Sequence, residues 1–375
     1  MQNPQKIYIL IKMAARNKVV AVGLSGGVDS TMTALILKRQ GFTLVGLTMQ
    51  IWDGAYHYNA TKSGCYGPNE SQDIEDAKNV ADILGIEHYV IDLRKEYHDT
   101  VIEYFCNEYA RGRTPNPCIR CNARIKFGVM LDKALASGIS FDFFATGHYA
   151  RILLDPTSNR YILKRGMDRL KDQSYFLYRL TQKQLERTLF PLGDFKKDEI
   201  LHMASESDFH DLLKRPQSQD FLEWDDYSVL LGDTHEPGNI IDENGDIIGR
   251  HKGISRYTIG QRRHLNLAGL KEPYYVLSID RERNEIVAGP KHSLKKSCLL
   301  AEDIHFIIPF DEIKDKTLSA QIRYRSAPSE CTATITDDGC LKVQFIEPQE
   351  AITPGQSVVL YMDDTVIGGG IIRGL

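Results

Sequence analysis

The apolar run Val19-Val20-Ala21-Val22 is followed by a polar, glycine-containing turn and then by Thr31-Met32-Thr33-Ala34-Leu35-Ile36-Leu37, whose apolar positions recur at helical spacing. A short continuous apolar run and then a period of about 3.6 residues predict a buried strand, a turn and a helix that stops near Gln40-Gly41. The alternation continues along the chain. Leu44-Val45-Gly46-Leu47-Thr48-Met49 reads as a second buried strand, 71–84 as a helix capped by Ser71 and stopped by Gly85, His88-Tyr89-Val90-Ile91 as a third strand, and 96–109 as a helix. A helix over 125–137 leads to the strand Phe141-Asp142-Phe143-Phe144-Ala145, and 175–180 reads as a further helix. Strands alternating with helices predict an α/β fold, a doubly wound parallel sheet that binds its ligands beyond the carboxyl ends of the strands.

After Gln219-Asp220-Phe221 the texture changes. Segments shorten, apolar and polar residues alternate with period two, and Glu243-Asn244-Gly245-Asp246, Arg283-Asn284-Glu285 and Asp337-Asp338-Gly339 supply hairpin turns. The expected organisation is a catalytic domain over 1–222, a small β-rich middle domain over 223–290 and a C-terminal β-barrel-like domain over 291–375. Residues 1–17 are expected to be a disordered or dispensable extension, with Met13 an alternative start.

Composition narrows the function classes. The 375 residues are 42% hydrophobic and 26% charged, and no apolar run approaches the roughly 20 residues of a membrane span, so a soluble, cytosolic protein is expected. A net charge of −4 argues against coating nucleic acid through bulk charge but leaves room for local basic patches. Seven cysteines without a secretory leader do not read as a disulfide framework.

The first turn carries the clearest chemistry. In Gly23-Leu24-Ser25-Gly26-Gly27-Val28-Asp29-Ser30 the glycines let the backbone approach an anion, the amides at the helix start point at it, and Ser25 and Ser30 add hydroxyls. Asp29 fits there if a magnesium ion accompanies the phosphates. No Gly-Lys-Ser/Thr follows, so this is not a Walker loop. It resembles instead the pyrophosphate loop of the ATP pyrophosphatase superfamily, which splits ATP between its alpha and beta phosphates to adenylate a substrate oxygen. Met49, Gly147 and His148 fall at the ends of predicted strands, on the same ligand edge. Cys118 and Cys121 lie in a stretch read as a loop fixed by Pro115 and Pro117, with four arginines between Arg111 and Arg124. Cys65 lies in the long loop after the second strand. Arg323-Tyr324-Arg325, in the C-terminal β region, suits single-stranded or looped RNA.

Taken together, these motifs resemble the bacterial tRNA-specific 2-thiouridylases, which replace the 2-oxygen of the wobble uridine of certain tRNAs with sulfur. The likeness is collinear from about Lys18 to the C-terminus. It runs through the pyrophosphate loop, Gly112-Arg113-Thr114-Pro115-Asn116-Pro117, Thr146-Gly147-His148-Tyr149, Lys171-Asp172-Gln173-Ser174-Tyr175-Phe176-Leu177, Tyr257-Thr258-Ile259-Gly260-Gln261-Arg262, Arg323-Tyr324-Arg325, Pro354-Gly355-Gln356 and Gly368-Gly369-Gly370-Ile371-Ile372. The resemblance implies ATP binding by Gly23 to Ser30, Met49 and Gly147, a catalytic thiol at Cys121, and tRNA contacts from His148, Lys171, Asp172, Gln173, Arg323, Tyr324 and Gln356. It further implies a cysteine desulfurase or a sulfur carrier protein as the sulfur donor. Beside cationic arginines the thiol is expected to have a lowered pKa.

Two departures from the family pattern stand out. Cys118 occupies the position where the family usually has Asp, and Leu222 in Ser218-Gln219-Asp220-Phe221-Leu222 stands where it has its second catalytic cysteine. Sulfur handling therefore stays open among an iron–sulfur cluster on Cys65, Cys118 and Cys121, a Cys118–Cys121 thiol pair, and zinc. Two other functional readings are an ATP-dependent amide synthetase or ligase acting on a small substrate, and a tRNA-binding paralogue without catalysis.

Overall fold

The computed structural model describes residues 18–55, 60–214, 220–232, 236–270, 272–314 and 316–374. The expected extension over 1–17, Met13 within it, and Ser218 and Gln219 lie outside the described residues. The chain divides into two compact units: one comprises residues up to Thr100, Cys118–Asp225 and Asp364–Val366, the other Val101–Pro117, Asp226–Asp363 and the residues from Ile367 on.

In the first unit the strands β1 (Val19–Gly23), β2 (Thr43–Gln50), β4 (Glu87–Asp92), β5 (Phe143–Ala145) and β6 (Thr188–Leu189) form one parallel sheet in the order β4-β2-β1-β5-β6. A separate short parallel pair joins β3 (Gly64–Tyr66) to β7 (Asp220–Leu222). The chain moves outward from β1 to β2 and β4 and then returns to the other side of β1 as β5. This reversal opens a crevice at the carboxyl ends of β1 and β5. Val20 and Val22 bury one face of β1 against Ala34 and Leu37 of helix α1 (Val28–Arg39) and Ala77, Val80, Ala81 and Leu84 of helix α2 (Glu70–Leu84). Val28 and Met32 point α1 the other way, into a cluster with Tyr149, Leu192, Ile200 and Ala204. The doubly wound parallel sheet predicted from the sequence is the architecture observed.

Local details depart from the sequence reading for identifiable reasons. Ser71 is not the cap of α2: Asn69 holds the N-cap position without a side-chain cap, and its N–H donates to the Glu223 carboxylate at 2.9 Å, a partner from 154 residues away. Gly85 does end α2, in the left-handed conformation. The helix read over 175–180 is only a 3₁₀ turn, Ser174–Leu177. Most consequentially, Cys118 and Cys121 are helical. Helix starts at Pro117, since proline is well tolerated in a first turn, and runs through Arg120 into a π-helical stretch, Cys121–Val129, and on to Ala136. Pro117, read as fixing a loop, instead opens a helix.

In the second unit Gly238–Ile241, Ile247–His251, Tyr274–Asp280 and Glu285–Pro290 make a four-stranded sheet over Ile240, Val276, Ile286 and Ala288. Lys295–Phe306, Leu318–Gln321, Ser329–Ile335, Leu341–Glu350, Ser357–Met362 and, from Ile367 on, the strand Thr365–Gly374 follow as a β-barrel, closed where Ala301 pairs with Ile372 and Phe306 with Gly368. All three anticipated hairpin turns connect neighbouring strands of these sheets.

Candidate functional site

Ser25 to Ser30 sits at the carboxyl end of β1, held from both sides. Leu24 N–H donates to Leu47 O at 2.9 Å and Thr48 Oγ1 donates to Leu24 O at 2.8 Å, so the turn begins in register with β2. Gly26 has φ +71, and a Cβ there would lie 2.7 Å from the Asp76 side chain, so glycine is required both by conformation and by the approach of α2. Gly27 caps α1 without any side-chain acceptor, which leaves the amides of the first turn for an anion. Ser30 Oγ accepts from Ser25 N at 3.2 Å and donates to Gly27 O at 3.0 Å, closing the loop on itself.

Asp29 is the charged member. Its Oδ1 accepts from Tyr149 OH at 2.8 Å and from Lys197 Nζ at 2.7 Å. Both contacts fall on one oxygen of a carboxylate that is 34% exposed. Burial first and then the Asp29 charge push the Tyr149 phenol far above its ordinary range, so it stays a donor. Gly147 lies directly on this carboxylate's backbone: a Cβ would meet the Asp29 carbonyl carbon at 2.9 Å. Met49, half-buried, is the next-to-last residue of β2. Each residue expected to bind ATP is thus on the turn after β1 or at an adjoining strand end. Lys197 and Tyr149 were not anticipated. Lys197 looks like one more solvated charge in Lys196-Lys197-Asp198, and Tyr149 lay inside a quoted motif without a role; no single-sequence pattern marks either.

His148 follows Gly147. Its Nδ1 is hydrogen-bonded to Thr146 Oγ1 at 2.7 Å, and its ring packs 5.9 Å from Phe127 and 5.7 Å from Phe190. Burial lowers its pKa well below the ordinary value, so it is a neutral imidazole. Phe127 belongs to the helix that carries Cys118 and Cys121, so contacts run from Asp29 through Gly147 and His148 to the thiol helix.

Cys65, Cys118 and Cys121 lie near enough to Tyr97 for all three to act on its phenol. This ring is buried, stacks at 5.6 Å on Tyr66, and its phenol is raised well above its ordinary range by burial and then by Cys121, Cys65 and Cys118 nearby. Cys65 is exposed and lies in β3 between Gly64, paired with Asp220, and Tyr66, paired with Leu222. The strand where the family has its second cysteine therefore lies alongside Cys65, while Leu222 itself is buried. Glu223 staples this pairing: its carbonyl accepts from Thr61 N and Lys62 N at 2.8 and 3.0 Å. None of the seven cysteines is joined in a disulfide.

The expected lowering of the thiol pKa does not occur. Cys118 and Cys121 keep some exposed surface yet lie deep among protein atoms, and burial pushes Cys121 up to about 11 and Cys118 higher still. Three of the four arginines counted for activation are engaged elsewhere. Arg111 and Arg113 pair with Glu108 at 3.3 and 2.8 Å, Arg113 also with Glu302 at 2.7 Å, and Arg120 Nε donates to Thr100 O. Lys126 is the cation that offsets burial at both thiols, and only in part. A single metal ion also fits poorly. Among the described residues the set whose ligand atoms all lie within 4.8 Å is His98, Asp99 and Glu103, not the three thiols.

The residues expected to touch tRNA take different places. Asp172 is buried, its carboxylate accepting from Arg165 Nε, Gly166 N, and Ser174 N and Oγ, which makes it the brace of its own loop. Gln173 Oε1 accepts from Tyr149 N at 3.0 Å, and Lys171 is half-buried on the same turn. In the second unit Arg323 is exposed and Tyr324 half-buried on a turn tied by Gln321 Nε2 to Tyr324 O at 2.7 Å. Gln356 Nε2 donates to Thr114 O at 2.9 Å and thereby holds the Gly112 to Pro117 segment.

Family models described as the tRNA methyl transferase HUP domain, the tRNA methyl transferase PRC-barrel domain and the aminomethyltransferase beta-barrel domain match residues 18–222, 231–290 and 296–372. A tRNA-specific 2-thiouridylase of Thermoanaerobacter sp. (strain X514) is 46% identical over 365 residues, 95% of this chain and 98% of that relative. Another, of Endomicrobium trichonymphae, is 45% identical over 94% of this chain and 98% of its own. With matches this long and this close, the chain belongs to the tRNA-specific 2-thiouridylase family.

Proposed function

We propose that this chain thiolates the wobble uridine of tRNA: ATP adenylates the uridine 2-oxygen, and sulfur then displaces AMP. The observation that carries the reading is the coexistence, in one unit of a chain of this family, of a glycine-rich turn at a helix start with three thiols near enough to act on the buried Tyr97. A uridine carbonyl oxygen is a poor leaving group, so activation must precede sulfur transfer. The first-turn amides of α1 and the Ser25 hydroxyl would stabilise the departing pyrophosphate, with Ser30 holding the loop in shape. Asp29, with one oxygen tied and the side chain partly open, fits a magnesium ion held through one carboxylate and the substrate's phosphates. His148, neutral at the strand end, would offer tRNA a hydrogen bond rather than a charge, and Arg323, Tyr324 and Lys171 would supply contacts of the positioning kind. Asp172, Gln173 and Gln356 would act by holding the segments that present those groups.

For sulfur, the donor set favours an iron–sulfur cluster on Cys65, Cys118 and Cys121. The three thiols are spread more widely than one zinc ion would draw them, and burial keeps Cys118 and Cys121 protonated until a metal takes the proton's place. A cluster held by these cysteines would supply iron able to bind hydrosulfide as the nucleophile, the two electrons that reduce the donor's persulfide sulfur to sulfide coming from an external thiol. A cysteine desulfurase or a sulfur carrier protein delivers the sulfur, and the work is done in the cytoplasm. Among the described residues no helix is long and apolar enough to cross a membrane.

Nucleoside analysis of unmodified tRNA incubated with the protein, ATP, magnesium and a sulfur source tests the reaction; absence of 2-thiouridine at the wobble position rejects it. Pyrophosphate release that ignores tRNA would point to the amide synthetase, and no release at all to a binding paralogue. Iron and sulfide analysis after anaerobic purification tests the cluster. If Cys65→Ala loses both iron and thiolation the cluster stands, whereas an iron-free active protein that fails only with Cys118→Ala assigns the work to the Cys118–Cys121 pair.

A further inference from the structure

Lys197 is the buried lysine among the described residues, 5% exposed, and an ammonium removed from water needs a counter-charge. The structure supplies one. Lys197 Nζ lies 2.7 Å from Asp29 Oδ1 and 5.8 Å from the centre of the Tyr149 ring, whose hydroxyl donates to the same oxygen. The lysine is fixed from behind. It opens the helix Lys197–Ser205, its backbone N–H donates to Asp168 Oδ2 at 3.0 Å, and Ile200 and Ala204 of that helix pack against Val28 and Met32 of α1. The ammonium is therefore carried by an element docked on the helix whose first turn forms the nucleotide loop.

Two donors converging on Oδ1 orient the carboxylate. A carboxylate held by one contact can rotate about its Cβ–Cγ bond and exchange its oxygens; held by a buried ammonium and a phenol together it cannot, and Oδ2 is left as the oxygen that can reach a ligand. Lys197 also keeps Asp29 from adding an uncompensated negative charge to a loop that must accept the phosphates of ATP. We propose that Lys197 is a positioning residue of the nucleotide site, which with Tyr149 aims Asp29 Oδ2 at the divalent cation accompanying ATP. The inference rests on the ATP-dependent reading above and deepens it.

The test measures ATP affinity with magnesium and again with EDTA, together with thermal stability, in the wild-type chain, Lys197→Met, Asp29→Asn, the double variant and Tyr149→Phe. Magnesium should tighten ATP binding to the wild-type chain. Lys197→Met should lose about tenfold or more of that magnesium-dependent gain, as Asp29→Asn does, and the double variant should lose no more than either single one, because both act through one carboxylate. Tyr149→Phe, which removes only the hydroxyl, should lose part of it. A Lys197→Met protein that is less stable yet keeps the full magnesium-dependent gain overturns the proposal and leaves the lysine a structural counter-ion. Should that variant not fold, an undiminished gain in Tyr149→Phe overturns it equally. A folded wild-type chain that binds no ATP under either condition rejects the functional reading itself.

Discussion

The nucleotide loop and the thiol cluster share one unit but are prepared for their ligands in opposite ways. Around Ser25 to Ser30 the groups that shape the loop are held before a ligand arrives: Asp29 by Lys197 and Tyr149, Ser30 by Ser25 and Gly27, Leu24 by β2. Around Tyr97 the dominant influence is burial, which holds Cys118 and Cys121 in their protonated, weakly nucleophilic form. An anion can bind the first site as it stands. The second needs something to take the protons, so its competence depends on what is loaded into it. Preorganisation in one place and latency in the other are what an enzyme needs if sulfur must wait until the oxygen has been activated.

The comparison breaks most cleanly at Cys121. Cys121→Ala should abolish 2-thiouridine formation while ATP affinity stays within about twofold of wild type, because the two sites are built from separate elements. Nucleoside mass spectrometry and ATP titration check it together; joint loss would mean that the sites are not separable. Gly64→Ala should come next. A Cβ there would lie 2.4 Å from the backbone of Leu222, so β3 and β7 must part and carry Cys65 away, at a stability cost of about 1–3 kcal/mol seen in thermal melts, with thiolation largely lost and ATP binding retained.

Gly147→Ala is the mirror experiment. Its Cβ would press on the Asp29 backbone, and ATP affinity should fall by about 1–3 kcal/mol while the thiols' alkylation rates, read by peptide mass spectrometry, hold. The smallest effect concerns pH. His148 is held below its ordinary pKa by burial, so the folded chain binds its proton less readily than the unfolded one. The stability this neutral ring contributes is complete above its unfolded pKa of about 6.5 and is lost as pH falls toward the lower folded value. Melting temperatures from pH 7.5 down to 5 should accordingly fall more steeply for wild type than for His148→Gln. Parallel curves would show that the imidazole is not held neutral.

The nucleotide loop was legible because its function is local. Glycines, hydroxyls and a carboxylate sit within one turn, and the flanking periodicities placed them at a strand end and a helix start. The thiol site was only half legible. Cys118 and Cys121 were found, but helix and loop are hard to separate when Pro117 occupies the one position of a helix that suits it. The high pKa followed from burial, which no sequence pattern reveals, and the arginines beside the thiols in sequence turn out to serve Glu108, Glu302 and the Thr100 carbonyl. Lys197 was invisible for the same reason: its partner is 168 residues away. Pairings at that range belong to the tertiary fold, whereas turns such as Asp337-Asp338-Gly339 are encoded where they stand.

The pairing of Gly64 with Asp220 also sets an order of events during synthesis. β1, α1, β2, α2 and β4 are consecutive in the chain and can pack on one another as they leave the ribosome, whereas β3 has no partner until β7 emerges. The chain can therefore hold a formed nucleotide turn while Cys65 still lacks the strand that fixes it. The grouping of Cys65 with Cys118 and Cys121 is complete only once translation has passed Leu222, and a ribosome stalled before that point would leave a nascent chain with the turn after β1 formed but Cys65 unanchored.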